Sequence, residues 1–277
     1  MPKDNLSATP PAAAEITATE SGSPEAAGTT VFRWAGNAGW LIEYGGRLIA
    51  VDLDMASERL WAYEESLSDI ARRIDYVFAT HAHGDHFNID TYKYLIDHGN
   101  CTLVLPHSCA GSVEKASIDG ARIIWAVPGQ AMELEPWLRV EPTHALHGHI
   151  ARSVYSGANF DDCGYLFTIG GMRVCHPGDS VLLHEHLEIS NINVLFVSPT
   201  EHNMHVEGCR SLIEAINPDH IFAQHFGTYP VTDANSYWTT GYEEPLRLAL
   251  SSKHRSRYII PEPGKSYAIK NTRKTPL

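Results

Sequence analysis

With 277 residues the chain can bury a full hydrophobic core without disulfides or structural metal. Its formal charge of −12, spread without a basic run, weighs against extended nucleic acid and anionic membranes as partners. Five cysteines, odd in number and without a CxxC spacing, weigh against a disulfide framework or a thiolate zinc knuckle and read as buried, inert thiols.

Residues 1–30 are Ala, Pro, Ser, Thr and Glu with almost no large apolar side chain, too little apolar surface to offset ordering entropy. They read as a disordered arm preceding a single domain of residues 31–277. No apolar segment follows Met1, so neither a signal peptide nor a membrane anchor is expected, and the expected compartment is the cytoplasm. From Val31 the runs "VFRWAG", "GWLIEYGG" and "RLIAVDLD" read as strands, with Gly45-Gly46 as a hairpin turn. "RIDYVFATH" follows as an apolar strand, then "NIDTYKYLIDHGN" as a helix with Asn88 as N-cap and Gly99 as stop. "CTLVLP" and "RIIWAVPG" read as strands separated by a helix over 111–118. Strands alternating with helices imply parallel crossovers.

The second half opens with "AMELEPWLRVEPTHALHGH" and a hairpin, "GYLFTIGGMRVCHPGD", turning at Gly170-Gly171. "INVLFVSP" and "HIFAQHFGTYP" read as strands around the helix "VEGCRSLIEAI", followed by a last helix, "EEPLRLALSSKH", and a closing pair of strands in "SRYIIPEPGKSYAI". Both halves thus mix hairpins with strand–helix units, which suggests two sheets packed face to face with helices outside.

Several of these strands end in ligand-type residues. The densest case is His81-x-His83-x-Asp85-His86, just past "DYVFAT". Imidazoles at alternate positions can turn toward one point while Asp85 and His86 face a neighbouring one, a spacing that suits two cations. Imidazole nitrogen and carboxylate oxygen suit zinc and other borderline divalent ions, and sites open to water favour them over cysteine. Further donors stand at later strand ends: His144, His147 and His149 in "THALHGH", Asp179 in "CHPGDS", and His225 in "FAQHFGTYP".

This ordered set resembles the metallo-β-lactamase superfamily. "AGNAGWLIEYGGRLIAVDLD", "CHPGDS", "NMHVEG" and "HFGTYP" resemble its branch of small metal-dependent hydrolases that includes ascorbate-6-phosphate lactonase-like proteins. The resemblance implies an α/β fold, a four-layer αββα sandwich of two mixed sheets. It implies one ion held by His81, His83 and a histidine of "THALHGH", a second held by Asp85, His86 and His225, and Asp179 between them. His147 fits that pattern best and His144 second; His176 is a candidate to orient Asp179. Zinc or manganese fits the donors, with iron and cobalt also compatible.

A pair of such ions, about 3.5–4 Å apart, lowers the pKa of bound water from about 15.7 toward about 7 and polarises the bond attacked. The expected nucleophile is then a hydroxide shared by the ions, consistent with the lack of a GxSxG elbow. Asp85 is expected to orient it and pass a proton to the leaving group, with Asp179 as the shared ligand. Trp61, Tyr63, Arg152, Tyr155, Glu201, His202, Asn203, His205, Tyr229 and Trp238 lie in the loops expected to face substrate; Arg152 is the candidate for an anionic group. The expected activity is hydrolysis of a small ester, foremost a lactone. The alternatives are a phosphodiester or other phosphoester, a cyclic amide or, in another class, iron-dependent oxygenation. The arm and the loop aromatics leave room for contacts in a homo-oligomer.

Overall fold

The computed structural model describes residues 17–19, 28–150 and 153–271. Strands β1 (Thr17–Thr19), β2 (Thr29–Gly36), β3 (Gly39–Tyr44), β4 (Arg47–Val51), β5 (Ile74–Phe78), β6 (Thr102–Pro106) and β7 (Ile123–Ala126) belong to one sheet, together with the last strand, β15 (Ser266–Lys270). The other sheet contains β8 (Met132–Glu135), β9 (Leu138–His144), β10 (Cys163–Ile169), β11 (Met172–His176), β12 (Val194–Val197), β13 (His220–Ala223) and β14 (Tyr258–Ile259).

Both sheets follow one plan. β2, β3 and β4 pair antiparallel and β4 to β7 parallel; β9, β10 and β11 pair antiparallel and β11 to β14 parallel. The turns Gly45-Gly46 and Gly170-Gly171 fall at equivalent places, and all four glycines have positive φ, a region that costs other residues energy.

The period-2 geometry of strands sorts the side chains into layers. In the first sheet Trp40, Ile42, Ile49, Val51, Phe78 and Val104 point into the core between the sheets. There Phe32 meets Phe196 at 6.1 Å, and Phe78 meets Phe167 edge-on at 5.0 Å. The alternate residues Leu41, Leu48, Ala50, Val77 and Leu103 face outward, beneath helices α1 (Leu67–Ala71), α2 (Ile89–His98) and α3 (Ala110–Ala116). Helix α4 (His205–Ile216) lays Cys209, Leu212, Ile213 and Ile216 against the second sheet, followed by α5 (Ser236–Thr239), α6 (Glu243–Ala249) and α7 (Ser252–Arg255). The result is the four-layer αββα sandwich.

Several local expectations need correction. Thr17–Thr19, inside the arm read as disordered, pair antiparallel with β15, and β2 begins at Thr29; residues 1–16 and 20–27 lie outside the described residues. The two closing strands do not pair with each other, because β14 joins the second sheet and β15 the first. The last helix is interrupted at Leu250-Ser251, where Leu250 is extended and buried and the Ser251 hydroxyl caps α7. Helix α1 has no counterpart among the elements expected from the sequence. Asn88 does cap α2, its side chain accepting from the Thr91 amide at 3.0 Å. Gly99 stops that helix for a different reason than expected: its backbone is extended, and a Cβ would strike the carbonyl oxygens of Ala71 and Leu95.

Candidate metal centre

The ends of β4, β5, β9, β11, β12 and β13 meet at one edge of the sandwich. The loop from Ala79 to Phe87 is tightly fastened. Asp52, just past β4, accepts from the Thr80 amide at 2.7 Å and the Thr80 hydroxyl at 2.8 Å, while the Thr80 carbonyl accepts from the Cys163 amide at 2.9 Å. A single turn, with the amides of His86 and Phe87 bonded to the His83 carbonyl, places His81, His83, Asp85 and His86 on its inner side.

Most of the imidazoles are anchored by one nitrogen and project the other inward. The His86 Nδ1 faces Asp52 Oδ2 at 2.7 Å, the His225 Nδ1 faces the Trp238 carbonyl at 3.0 Å, and the His147 Nδ1 faces the Gly148 carbonyl at 2.7 Å. The His81 Nδ1 faces the Thr80 hydroxyl at 3.1 Å. Their Nε2 atoms converge: His86 and His225 stand 3.1 Å apart, and His81 Nε2 stands 3.0 Å from His83 Nδ1. Outer partners of this kind fix both the ring and the tautomer of a metal-ligating histidine.

The donors form overlapping groups whose atoms lie within 4.8 Å of one another: His81, His83 and His147; His81, His86 and Asp179; Asp85, His86 and His225; His147, Asp179 and His202. Asp179 is the common corner. Its Oδ2 lies 2.7 Å from His202 Nε2, 3.1 Å from His225 Nε2, 3.4 Å from His86 Nε2 and 3.6 Å from His147 Nε2. One carboxylate oxygen cannot accept a good hydrogen bond from four N–H groups, and the buried His147 Nε2 has no hydrogen-bond partner. Inward imidazole nitrogens beside carboxylates therefore fit a divalent cation, which His81, His83 and His147, or Asp85, His86 and His225, stand close enough together to hold.

Electrostatics divides the cluster. Burial lowers the pKa of His81 well below the usual histidine range and that of His147 to about 4, keeping both rings neutral. Burial also opposes charge on His86, but the carboxylates of Asp179, Asp85 and Asp52 outweigh it and raise its pKa well above the usual value. Burial raises and the neighbouring imidazoles lower the pKa of Asp179; the imidazoles win, so the carboxylate stays ionised.

The structure brings together His81, His83, Asp85, His86, His147, Asp179 and His225, and selects among the three histidines of "THALHGH". His147 joins the cluster; His144 is bonded to Glu185 at 3.0 Å; His149 lines the cavity beside the centre. Gly148 allows this, since a Cβ there would collide with the His202 carbonyl.

Other assignments change. His176 does not touch Asp179; its Nε2 faces the Ala38 carbonyl at 3.0 Å and its Nδ1 accepts from the Gly178 amide. The Asp179 carboxylate is held instead by His202 and by Asn203, whose side-chain amide donates to Oδ1 at 3.0 Å. Asn203 is thus occupied within the centre, and Tyr229 donates to Asp54 Oδ2 at 2.7 Å. Tyr63 lines a separate cavity of about 330 Å³, Trp61 donates to the Gly227 carbonyl, and His205 pairs with Glu207. Glu201 adjoins His202 outside the cavity lining, and Arg152 lies outside the described residues.

Two residues were missed. Asp52 orients His86, and Asn37, in a left-handed turn, donates to Asp85 Oδ2 at 3.0 Å and accepts the His225 amide on its carbonyl. The signal for Asp52 was visible, because "RLIAVDLD" is another apolar strand ending in acids. Nothing local in the sequence marks Asn37.

Beside the centre lies a cavity of about 300 Å³, lined by His83, Gly84, Asp85, His147, His149, Tyr155, Asp179, His202, Tyr237 and Trp238. Two mixed sheets between helices, with imidazoles and carboxylates gathered at the strand ends, define the metallo-β-lactamase class of fold. The model of the beta-lactamase superfamily domain matches residues 31–225, and the chain belongs to that superfamily. A UPF0173 metal-dependent hydrolase from Anaeromyxobacter sp. (strain K) is 23% identical over 270 residues, covering 90% of each chain. Among solved structures, Igni18, a metallo hydrolase from Ignicoccus hospitalis, superimposes with a TM-score of 0.68 at 18% identity, covering 87% of this chain and 99% of that one. CmlA, a diiron β-hydroxylase from Streptomyces venezuelae, gives 0.64 at 14% identity over 90% of this chain and 55% of its own. Among the described residues no helix is long and apolar enough to cross a membrane.

Proposed function

We propose that the chain is a metal-dependent hydrolase that opens a small ester or lactone at a centre of two divalent ions. The observation that carries this reading is the convergence of inward-facing imidazole nitrogens and carboxylates on Asp179 Oδ2, directly beside an open cavity. When bound, the ions would supply acidified water and draw charge from the oxygen of the bond under attack.

The protein's own part is to place and protonate. Asp85 lines the cavity, and its Oδ2 accepts from Asn37, which fixes the carboxylate plane. Burial raises its pKa, but neighbouring His86 and His225 lower it further, so it is ionised and able to orient attacking water by accepting its hydrogen bond; proton transfer through it to the leaving group is the role proposed for it once the ions are bound. Asp179, clamped on one oxygen by His202 and on the other by Asn203, keeps the two halves of the donor set in register. The cavity is at the small end of ligand pockets, which favours a compact substrate.

Esters and lactones are preferred to phosphoesters because no Lys or Arg lines the cavity among the described residues. The donor set also suits iron, and an oxygenase on this fold is the reading from another class. A panel of lactones, simple esters, phosphodiesters and lactams, assayed with zinc and with manganese, tests the proposal together with metal analysis of protein purified without added metal. Turnover confined to phosphodiesters would replace the substrate class; iron with oxygen uptake would replace the reaction.

A further inference from the structure

The cavity carries more aromatic surface than metal binding requires. His149, Tyr155, Tyr237 and Trp238 line it without belonging to any donor group. Three of them form a continuous wall: the His149 ring lies 6.0 Å from Tyr155 and 5.2 Å from Tyr237. Tyr155 stands edge-on to His83 at 5.7 Å and to His147 at 5.5 Å, and Tyr237 stands perpendicular to His202 at 6.2 Å. The wall therefore starts at the donor rings and runs to the surface, where Tyr155 is 37% exposed.

Both ends of this wall are fastened to donor residues. The Tyr155 amide bonds to the His147 carbonyl at 2.9 Å, next to the bridge between Gly148 and Val154. Tyr237 and Trp238 ride on α5, and the Trp238 carbonyl holds the His225 ring. The position of the rings is thus tied to the centre, while the Tyr155 and Tyr237 hydroxyls and the Trp238 indole N–H have no hydrogen-bond partner among the described residues. Core tyrosines in this molecule behave differently: Tyr92 and Tyr165 each donate to a backbone carbonyl. Rings with free polar tips, arrayed around a cavity, suit a ligand that stacks and accepts hydrogen bonds at its rim.

We propose that the substrate is an uncharged ester or lactone bearing a planar aromatic or conjugated group, which rests on the Tyr155–His149–Tyr237 wall while its carbonyl faces the donor cluster. This assignment rests on the hydrolase reading above and narrows it.

The test uses a matched pair of neutral probes that cannot be hydrolysed, acetophenone and cyclohexyl methyl ketone, titrated into the metal-loaded full chain by ligand-observed NMR. Acetophenone should bind up to about tenfold more tightly, the order expected from one or two aromatic contacts. Tyr155→Leu and Tyr237→Leu should bring the ratio toward one with metal content unchanged, and Tyr155→Phe, which keeps the ring, should retain most of the preference. Equal affinities in the parent protein, or a preference that survives both leucine substitutions, overturn the assignment whatever esters are hydrolysed. Benzoyl and cyclohexanecarbonyl esters of one alcohol, assayed in parallel, separate the two levels of inference. Absence of any turnover with the ketone preference intact counts against the hydrolase reading and supports recognition of an aromatic ligand.

Discussion

The two halves of the chain build the same sheet and furnish the site in opposite ways. In the first half four of the donors sit within six positions after β5, supported by Asp52 after β4. In the second half His147, Asp179, His202 and His225 come one at a time from the ends of β9, β11, β12 and β13. The concentrated half is held by its own short turn, whereas the dispersed half depends on strand register across a whole sheet. The difference teaches that Asp179, whose one carboxylate oxygen faces His86 from the first half and His147, His202 and His225 from the second, is where the site is most vulnerable.

The largest expected effect follows from that corner. Asp179→Ala should leave at most one ion per chain after dialysis, and its loss of hydrolysis should exceed the roughly 100-fold typical of removing an outer partner. His83→Ala, confined to one donor group, should spare the second ion; equal losses of metal in the two variants would break the comparison. Next, Asp52→Asn keeps the shape but weakens the anchor of His86, so metal affinity measured by chelator competition should fall about 10–100-fold.

The hairpins sharpen the comparison through stability. Gly45→Ala should cost about 1–2 kcal/mol in urea unfolding, the penalty of a left-handed residue, because nothing lies within 4 Å of the added methyl. Gly170→Ala should cost more, since its methyl would meet the Tyr44 ring. The smallest effect concerns the crossovers. His186, in the turn between β11 and β12, is buried, its Nε2 facing the His144 carbonyl while its Nδ1 accepts from the Leu183 amide. Burial holds its pKa below the ordinary 6.5, so the unfolded chain takes up the proton first as pH falls. His186 should thus contribute a decline in stability below about pH 6.5 of at most about 1.4 kcal/mol per pH unit, added to those of the other buried histidines, and His186→Gln should remove that share of the slope.

The same contrast explains how much could be read from the sequence. The short apolar run "RLIAV" and the Gly-Gly turns exposed the strands, because composition and turn chemistry are local. His81 to His86 were legible as donors for the same reason. In the sequence only likeness to the superfamily pattern favours His147 over its neighbours; the physical reason, a close approach of Gly148 to the His202 carbonyl, joins residues far apart in the chain. Asn37 acts through a left-handed backbone turn that no side-chain pattern announces. Helix α1 was missed because it is five residues long, too short to show a helical period, and β14 and β15 could be found as strands but not assigned to sheets.

The placement of β15 between β1 and β2 bears on how the protein is made. Thr29 pairs with Lys270 and Arg33 with Ser266, so one margin of the first sheet stays open until nearly the last described residue has been synthesised. At about 5–20 residues per second, a ribosome would leave β2 without that neighbour for many seconds. Protection of this strand by a chaperone during translation would shield an edge that the finished molecule covers itself.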